Sequence, residues 1–146
     1  MRVVFKYTSR SRPEKFRRGA ESIVQNFSSD NDAAFLVTID SDDATMSEAF
    51  VRSCFPAAAN VIVDVGLSKS KIHAINRGLG RLAELEPWDI IVNMSDDMVF
   101  LRKDFDRIIC ANCTPDTFLH LPDGHQNEKI ATMSIMGRRY FERFGY

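Results

Sequence analysis

Trp88-Asp89-Ile90-Ile91-Val92-Asn93-Met94-Ser95-Asp96-Asp97-Met98 is the stretch on which the fold turns. An apolar run, Ile90 to Met94, stops abruptly at two adjacent carboxylates. Such a run reads as a strand buried on both faces, which is the habit of parallel sheets. In open α/β sheets, ligands bind beyond the carboxyl ends of the strands. Two acids there are poor packing groups, because burying unpaired charge is costly. They suit a hard divalent cation, which takes oxygen ligands and bridges to nucleotide phosphates. Asp96 and Asp97 are therefore the metal candidates, and Mn2+ or Mg2+ is the expected ion. The competing reading makes Ser95 or Asp96 a helix cap, yet the next helical pattern begins only near Arg102.

Reading outward from this strand, the chain alternates. Val3 to Tyr7 is a first strand, and Pro13 opens a helix over roughly 13–27 with Phe16, Ala20, Ile23, Val24 and Phe27 at helical spacing. Ala33 to Ile39 is a second strand, followed by a helix over 45–54 closed by Pro56. Asn60 to Val65 is a third strand, and a helix over 71–85 turns Ile72, Ile75, Leu79 and Leu82 inward. After Met94 come a short helix marked by Phe105, Ile108 and Ile109, a fifth strand at 117–121, a sixth over 129–136 and a last helix over 138–144. Strand–helix alternation with fully apolar strands predicts an α/β fold, a mainly parallel open sheet with helices on both faces. The whole of 1–146 is expected to be one domain.

The chain has 146 residues, 45% of them hydrophobic and 27% charged, and a net charge of −1, so a nucleic-acid partner is not expected. Arg10, Arg12, Lys15, Arg17 and Arg18 nevertheless crowd the start of the first helix, as a solvated face or as a contribution to phosphate binding. No transmembrane segment is expected, since no apolar run nears the roughly 20 residues that span a bilayer. Met1 to Tyr7 is too short and too soon interrupted for a signal peptide, and a cytoplasmic location is the default expectation. Cys54, Cys110 and Cys113 are an odd set. Cys110 and Cys113 have a C-x-x-C spacing, but no second pair completes a zinc site.

Four strand ends carry polar groups: Thr8-Ser9-Arg10, Asp40-Ser41-Asp42-Asp43, the stretch Gly66 to Lys71, and Ser95-Asp96-Asp97. In a parallel sheet these project toward one edge. Among Asp40, Asp42 and Asp43, one carboxylate can accept from a nucleobase or ribose while the others cap the next helix. Lys69, Lys71 and Asn76 sit at a loop-to-helix junction that can face phosphates. Neither G-x-x-x-x-G-K-[ST] nor G-x-G-x-x-G is present. His73 reads as a helix-surface or packed residue. Asp123-Gly124-His125 reads as a turn whose His125 is a candidate third metal ligand or acceptor contact.

Taken together, these residues resemble the nucleotide-sugar-binding part of family 2 type glycosyltransferases with the GT-A fold. Thr8 to Pro13 is similar to their opening strand-to-helix segment. Asp40-Ser41-Asp42-Asp43 stands where they carry the nucleobase-binding Asp. Lys71, Asn76 and Gly78 resemble their K-x-x-x-x-N-x-G helix start, and Ser95-Asp96-Asp97 their D-x-D or D-D metal motif. Gly137 to Tyr146 resembles the stretch that leads into their acceptor half. The resemblance implies a Rossmann-like sheet that binds a UDP-sugar or GDP-sugar through a divalent cation. Asp40 or Asp42 would touch base or ribose with Thr8 and Arg10 nearby, Lys71 would approach base or phosphates, and Asp96 and Asp97 would hold metal and ribose–diphosphate. It also implies transfer of the sugar to a glycan or other hydroxyl acceptor. The family's acidic catalytic base and acceptor contacts lie in a further segment with no equivalent before Tyr146, and the apolar surface this leaves is a possible site of homo-oligomer formation. The alternatives are a non-catalytic nucleotide-sugar-binding or interaction module, or another metal-dependent α/β nucleotidyltransferase.

Overall fold

The computed structural model describes residues 1–121 and 133–144. Its centre is a six-stranded sheet in the order β3-β2-β1-β4-β6-β5. The strands are β1 (Arg2–Thr8), β2 (Asp32–Asp40), β3 (Asn60–Gly66), β4 (Ile90–Ser95), β5 (Phe118–His120) and β6 (Ser134–Gly137). β1 runs parallel to both β2 and β4, and β2 parallel to β3. β6 runs antiparallel to β4 and to β5. The fold is thus α/β with a mixed, mostly parallel sheet. The residues that carry the sheet alternate between two cores. Val3, Phe5 and Tyr7 meet α1 (Pro13–Asn26), α2 (Glu48–Ser53) and α4 (Phe105–Asn112) on one face. Val4, Leu36, Ile62 and Ile91 meet a 3-10 helix (Leu79–Leu85), Trp88 and Phe141 of α5 (Arg138–Glu142) on the other. Alternation of side chains along a strand makes this division automatic.

Three expected elements differ. The single helix over 71–85 is two pieces, α3 (Lys71–Asn76) and the 3-10 helix, separated by Gly78 in the left-handed region at φ 80°. A Cβ at Gly78 would lie 3.1 Å from Asp64, so glycine answers both the backbone and the space. The break turns Arg77 inward, where its Nε donates to Asp64 Oδ2 at 2.9 Å and its Nη2 to the Ile39 carbonyl. The helix after β2 starts at Glu48, capped by Ser47, whose Oγ accepts from Phe50 N at 3.1 Å. The preceding residues instead form a turn on Asp43, which accepts from the Thr45 amide at 3.0 Å. The sixth strand occupies Ser134–Gly137 and is antiparallel; the expected positions 129–132 lie outside the described residues.

The β3 edge of the sheet is guarded. Arg52 of α2 donates to the Val61 carbonyl at 3.0 Å, and Arg81 of the 3-10 helix donates to the Val63 carbonyl at 2.9 Å. The two arginines reach the edge from opposite faces.

Register sets the site. Thr8 pairs with Thr38 on one side and with Ser95 on the other, and Asp40 pairs with Gly66. The four parallel strands therefore finish nearly level, and their polar continuations share one rim.

Candidate functional site

A cleft of about 730 Å3 opens at that rim. Its walls are the β1–α1 loop from Thr8 to Arg12, the end of β2 at Thr38, Asp40 and Asp42, the 68–71 segment entering α3, and Ser95 and Asp96 after β4. The cleft unites Thr8, Arg10, Asp40, Asp42, Lys71 and Asp96, the residues that the strand ends single out.

Each side chain has an assigned place. Asp40 is buried and takes Arg10 Nη1 at 2.7 Å, with Arg77 Nη1 at 3.6 Å on its other oxygen. Arg10 extends its second nitrogen to Asp42 at 2.9 Å, so one exposed guanidinium bridges two acids. Burial works against the Asp40 carboxylate, but the Ser68 hydroxyl and the Arg10 and Arg77 cations hold its pKa below the ordinary value. Asp43 does not face a ligand. It accepts from Ser11 N at 2.5 Å and from Thr45, and so fixes the β1–α1 loop, in which Ser11 is left-handed at φ 56°. Thr8 Oγ1 is buried without a hydrogen-bond partner. In a cleft wall such a hydroxyl is a group that a polar ligand can satisfy.

At the β4 end, Asp96 is buried. Its Oδ2 accepts from Ser9 Oγ at 2.8 Å and its Oδ1 from Arg12 Nη1 at 3.2 Å. Asp97 is half-exposed beside it. The Ser95 hydroxyl donates to Asp97 at 2.8 Å, and this bond, with the Lys71 and Arg12 charges, holds its pKa below the ordinary value despite burial. Among the described residues, no group of three or more His, Cys, Asp or Glu side chains gathers to hold a metal ion. The donor set still fits Mg2+ or Mn2+, which is commonly bound by one or two carboxylates with water and substrate phosphate completing the shell. His125 and the turn at Asp123-Gly124 lie outside the described residues. His73 has a structural use: its Nδ1 accepts from the Lys69 amide at 3.1 Å. The three thiols are free, and burial raises the pKa of each, which makes them poor nucleophiles.

Sequence reasoning misses the lower layer of the site. Lys6 lies on β1 within an apolar run, yet its Nζ is buried under the cleft floor. It donates to Thr38 Oγ1 and lies 3.5 Å from the Ala74 carbonyl, so it ties the cleft wall α3 to the sheet. The only warning in the sequence is a lysine inside an otherwise apolar strand. Burial lowers its pKa from 10.5 to about 7, with Asp64 opposing the shift and Arg77 adding to it. The sign follows from proton counting. Between pH 7 and 10 the unfolded chain keeps the proton that the folded chain gives up, so stability rises with pH through that window. Wild type should gain on Lys6→Met by up to about 1.4 kcal/mol per pH unit there, in urea titrations of both proteins. A constant difference from pH 7 to 10 would show an ordinary lysine.

Compared with known protein families and with curated proteins, the chain matches no family model and no curated sequence. No described helix is long and apolar enough to cross a membrane.

Proposed function

We propose that the chain is a GT-A-like glycosyltransferase domain that binds a nucleoside-diphosphate sugar, UDP- or GDP-linked, with Mn2+ or Mg2+. One observation carries this reading. Parallel strand ends bring an acidic nucleoside-type contact (Asp40, Asp42), cations (Arg10, Lys71) and the buried Asp96 to one cleft, with Asp97 beside its rim. The spatial order repeats the chemistry along a nucleotide sugar: base and ribose near β2, diphosphate across the middle, metal near β4. Asp40 would accept from base or ribose, Thr8 would satisfy its hydroxyl on the ligand, and Lys71 would face the phosphates. Asp96 and Asp97 would hold the cation, which neutralises the diphosphate as a leaving group. Transfer to an acceptor hydroxyl needs a general base, and no residue of the cleft is assigned that part.

Calorimetric titration of UDP and GDP, with and without Mn2+, tests this. One of the two should bind in a metal-dependent manner, and Asp97→Asn should weaken that binding at least about tenfold, the loss that even an outer-shell partner of a metal ligand typically brings. Asp97 is half-exposed, so the substitution spares the fold. Binding of neither nucleotide, or equal binding by the variant, would defeat the reading.

A further inference from the structure

Arg12 lines the cleft, but its guanidinium is engaged by the acid pair after β4. Its Nη1 lies 3.2 Å from Asp96 Oδ1 and 4.0 Å from Asp97 Oδ2. The other Asp96 oxygen is taken by Ser9. The guanidinium therefore occupies the face of the acid pair that a divalent cation would use. Two cations cannot share that face, because like charges a few ångströms apart repel. Yet the Arg12 side chain is 51% exposed, against 7% for that of Asp96, so it has room to swing further into the cleft it borders. Its backbone is not free. Ser11 is pinned by Asp43, and Pro13 starts α1 immediately after Arg12. A side-chain rotation is thus enough to carry the charge from carboxylate to ligand. A planar guanidinium is well matched to a phosphate, which it can grip with two parallel hydrogen bonds.

We infer that Arg12 is a place-holding and diphosphate-binding residue: it neutralises Asp96 and Asp97 in the empty cleft and transfers to the diphosphate when nucleotide arrives, which releases the acid pair to the metal. This rests on the proposed nucleotide-sugar site. It makes metal and nucleotide binding mutually reinforcing, since each removes the obstacle to the other, and that coupling is necessarily reciprocal. Without nucleotide the domain is then a weak metal binder, and the cation enters with the nucleotide.

Electron paramagnetic resonance of free Mn2+ reads the coupling directly, on the full chain, alone and with saturating UDP or GDP. Arg12→Gln should bind Mn2+ alone about threefold to tenfold more tightly than wild type, the scale of a lost competing ion pair. The enhancement of Mn2+ affinity by nucleotide should shrink in the same variant. Arg12→Lys, which keeps the charge, should stay near wild type, whereas a merely loosened loop would affect both variants alike. If Arg12→Gln and wild type bind Mn2+ equally in the absence of nucleotide, while nucleotide still tightens Mn2+ on wild type, the inference falls and the nucleotide-sugar reading stands. If wild type binds no Mn2+ with either nucleotide, both fall together.

Discussion

Asp106→Asn should lower the free energy of unfolding by about 3 kcal/mol at pH 7, measured by urea denaturation. Asp106 is fully buried at the start of α4. Its carboxylate accepts three hydrogen bonds from the loop before β2: Ser28 N at 2.8 Å, Ser28 Oγ at 2.5 Å and Asn31 Nδ2 at 2.7 Å. An amide in its place puts two donors among donors, and leaves at least one buried N–H without a partner. Burial disfavours the charge, but the Asn31 and Ser28 hydrogen bonds overcome it and hold the Asp106 pKa below the ordinary value. A depressed carboxylate pKa contributes stability that is present above the unfolded value and lost as pH falls through the folded one. The difference between wild type and Asp106→Asn should therefore be full at pH 7 and shrink below about pH 4, where the unfolded carboxylate takes up its proton. A difference of the same size at pH 3 would mean that the three bonds do not favour the ionised form.

Gly137→Ala should cost about 3 kcal/mol in the same assay. The φ of −66° at this position suits any residue, so the reason is space, not conformation. A Cβ there would lie 2.0 Å from the Thr114 carbonyl oxygen and 2.6 Å from that of Pro115. These are backbone atoms and they are tied in place. Gly137 N donates to the Thr117 carbonyl at 2.9 Å, and Tyr140 N to the Pro115 carbonyl at 2.9 Å. The methyl must push apart the junction of β6, α5 and the 114–117 turn. Gly80→Ala is the matched control, since a Cβ at Gly80 meets nothing within 4 Å. It should unfold within about 0.5 kcal/mol of wild type. Equal stability of the two variants would show that the turn yields.

The contrast between these residues and the cleft explains what the sequence makes legible. The runs Ile90–Met94 and Ala33–Ile39, each apolar but for one residue (Asn93, Thr38), announce buried parallel strands because packing on two faces demands apolar chemistry, and the polar residues that end them fall on one rim by topology alone. Asp40 and Asp96 could be singled out for that reason. Asp106 could not, because its partners Ser28 and Asn31 are some 78 and 75 residues away in the chain and a single Asp in an amphipathic helix looks like a solvated one. Lys6 is hidden likewise, since its partners Thr38 and Ala74 belong to other elements. The break at Gly78 is masked by the regular spacing of Leu79 and Leu82 with Ile72 and Ile75, yet only the leucines past the break join the core, and Ile72, expected inward, is exposed. The antiparallel direction of β6 depends on how the chain returns after β5, which local pattern does not encode.

The arginines at the β3 edge have a consequence for how the molecule meets its own copies. A sheet edge recruits foreign strands by offering unused carbonyls and amides in a row. At Val61 and Val63 the carbonyls are already engaged by Arg52 and Arg81. An incoming strand would have to evict two guanidinium groups anchored on opposite sides of the sheet before it could form its first pair of hydrogen bonds. Each guanidinium is also held by a glutamate of its own helix, Arg52 by Glu48 and Arg81 by Glu84, so displacing it breaks an ion pair as well. Strand addition at this side of the sheet is thereby disfavoured at the first contact.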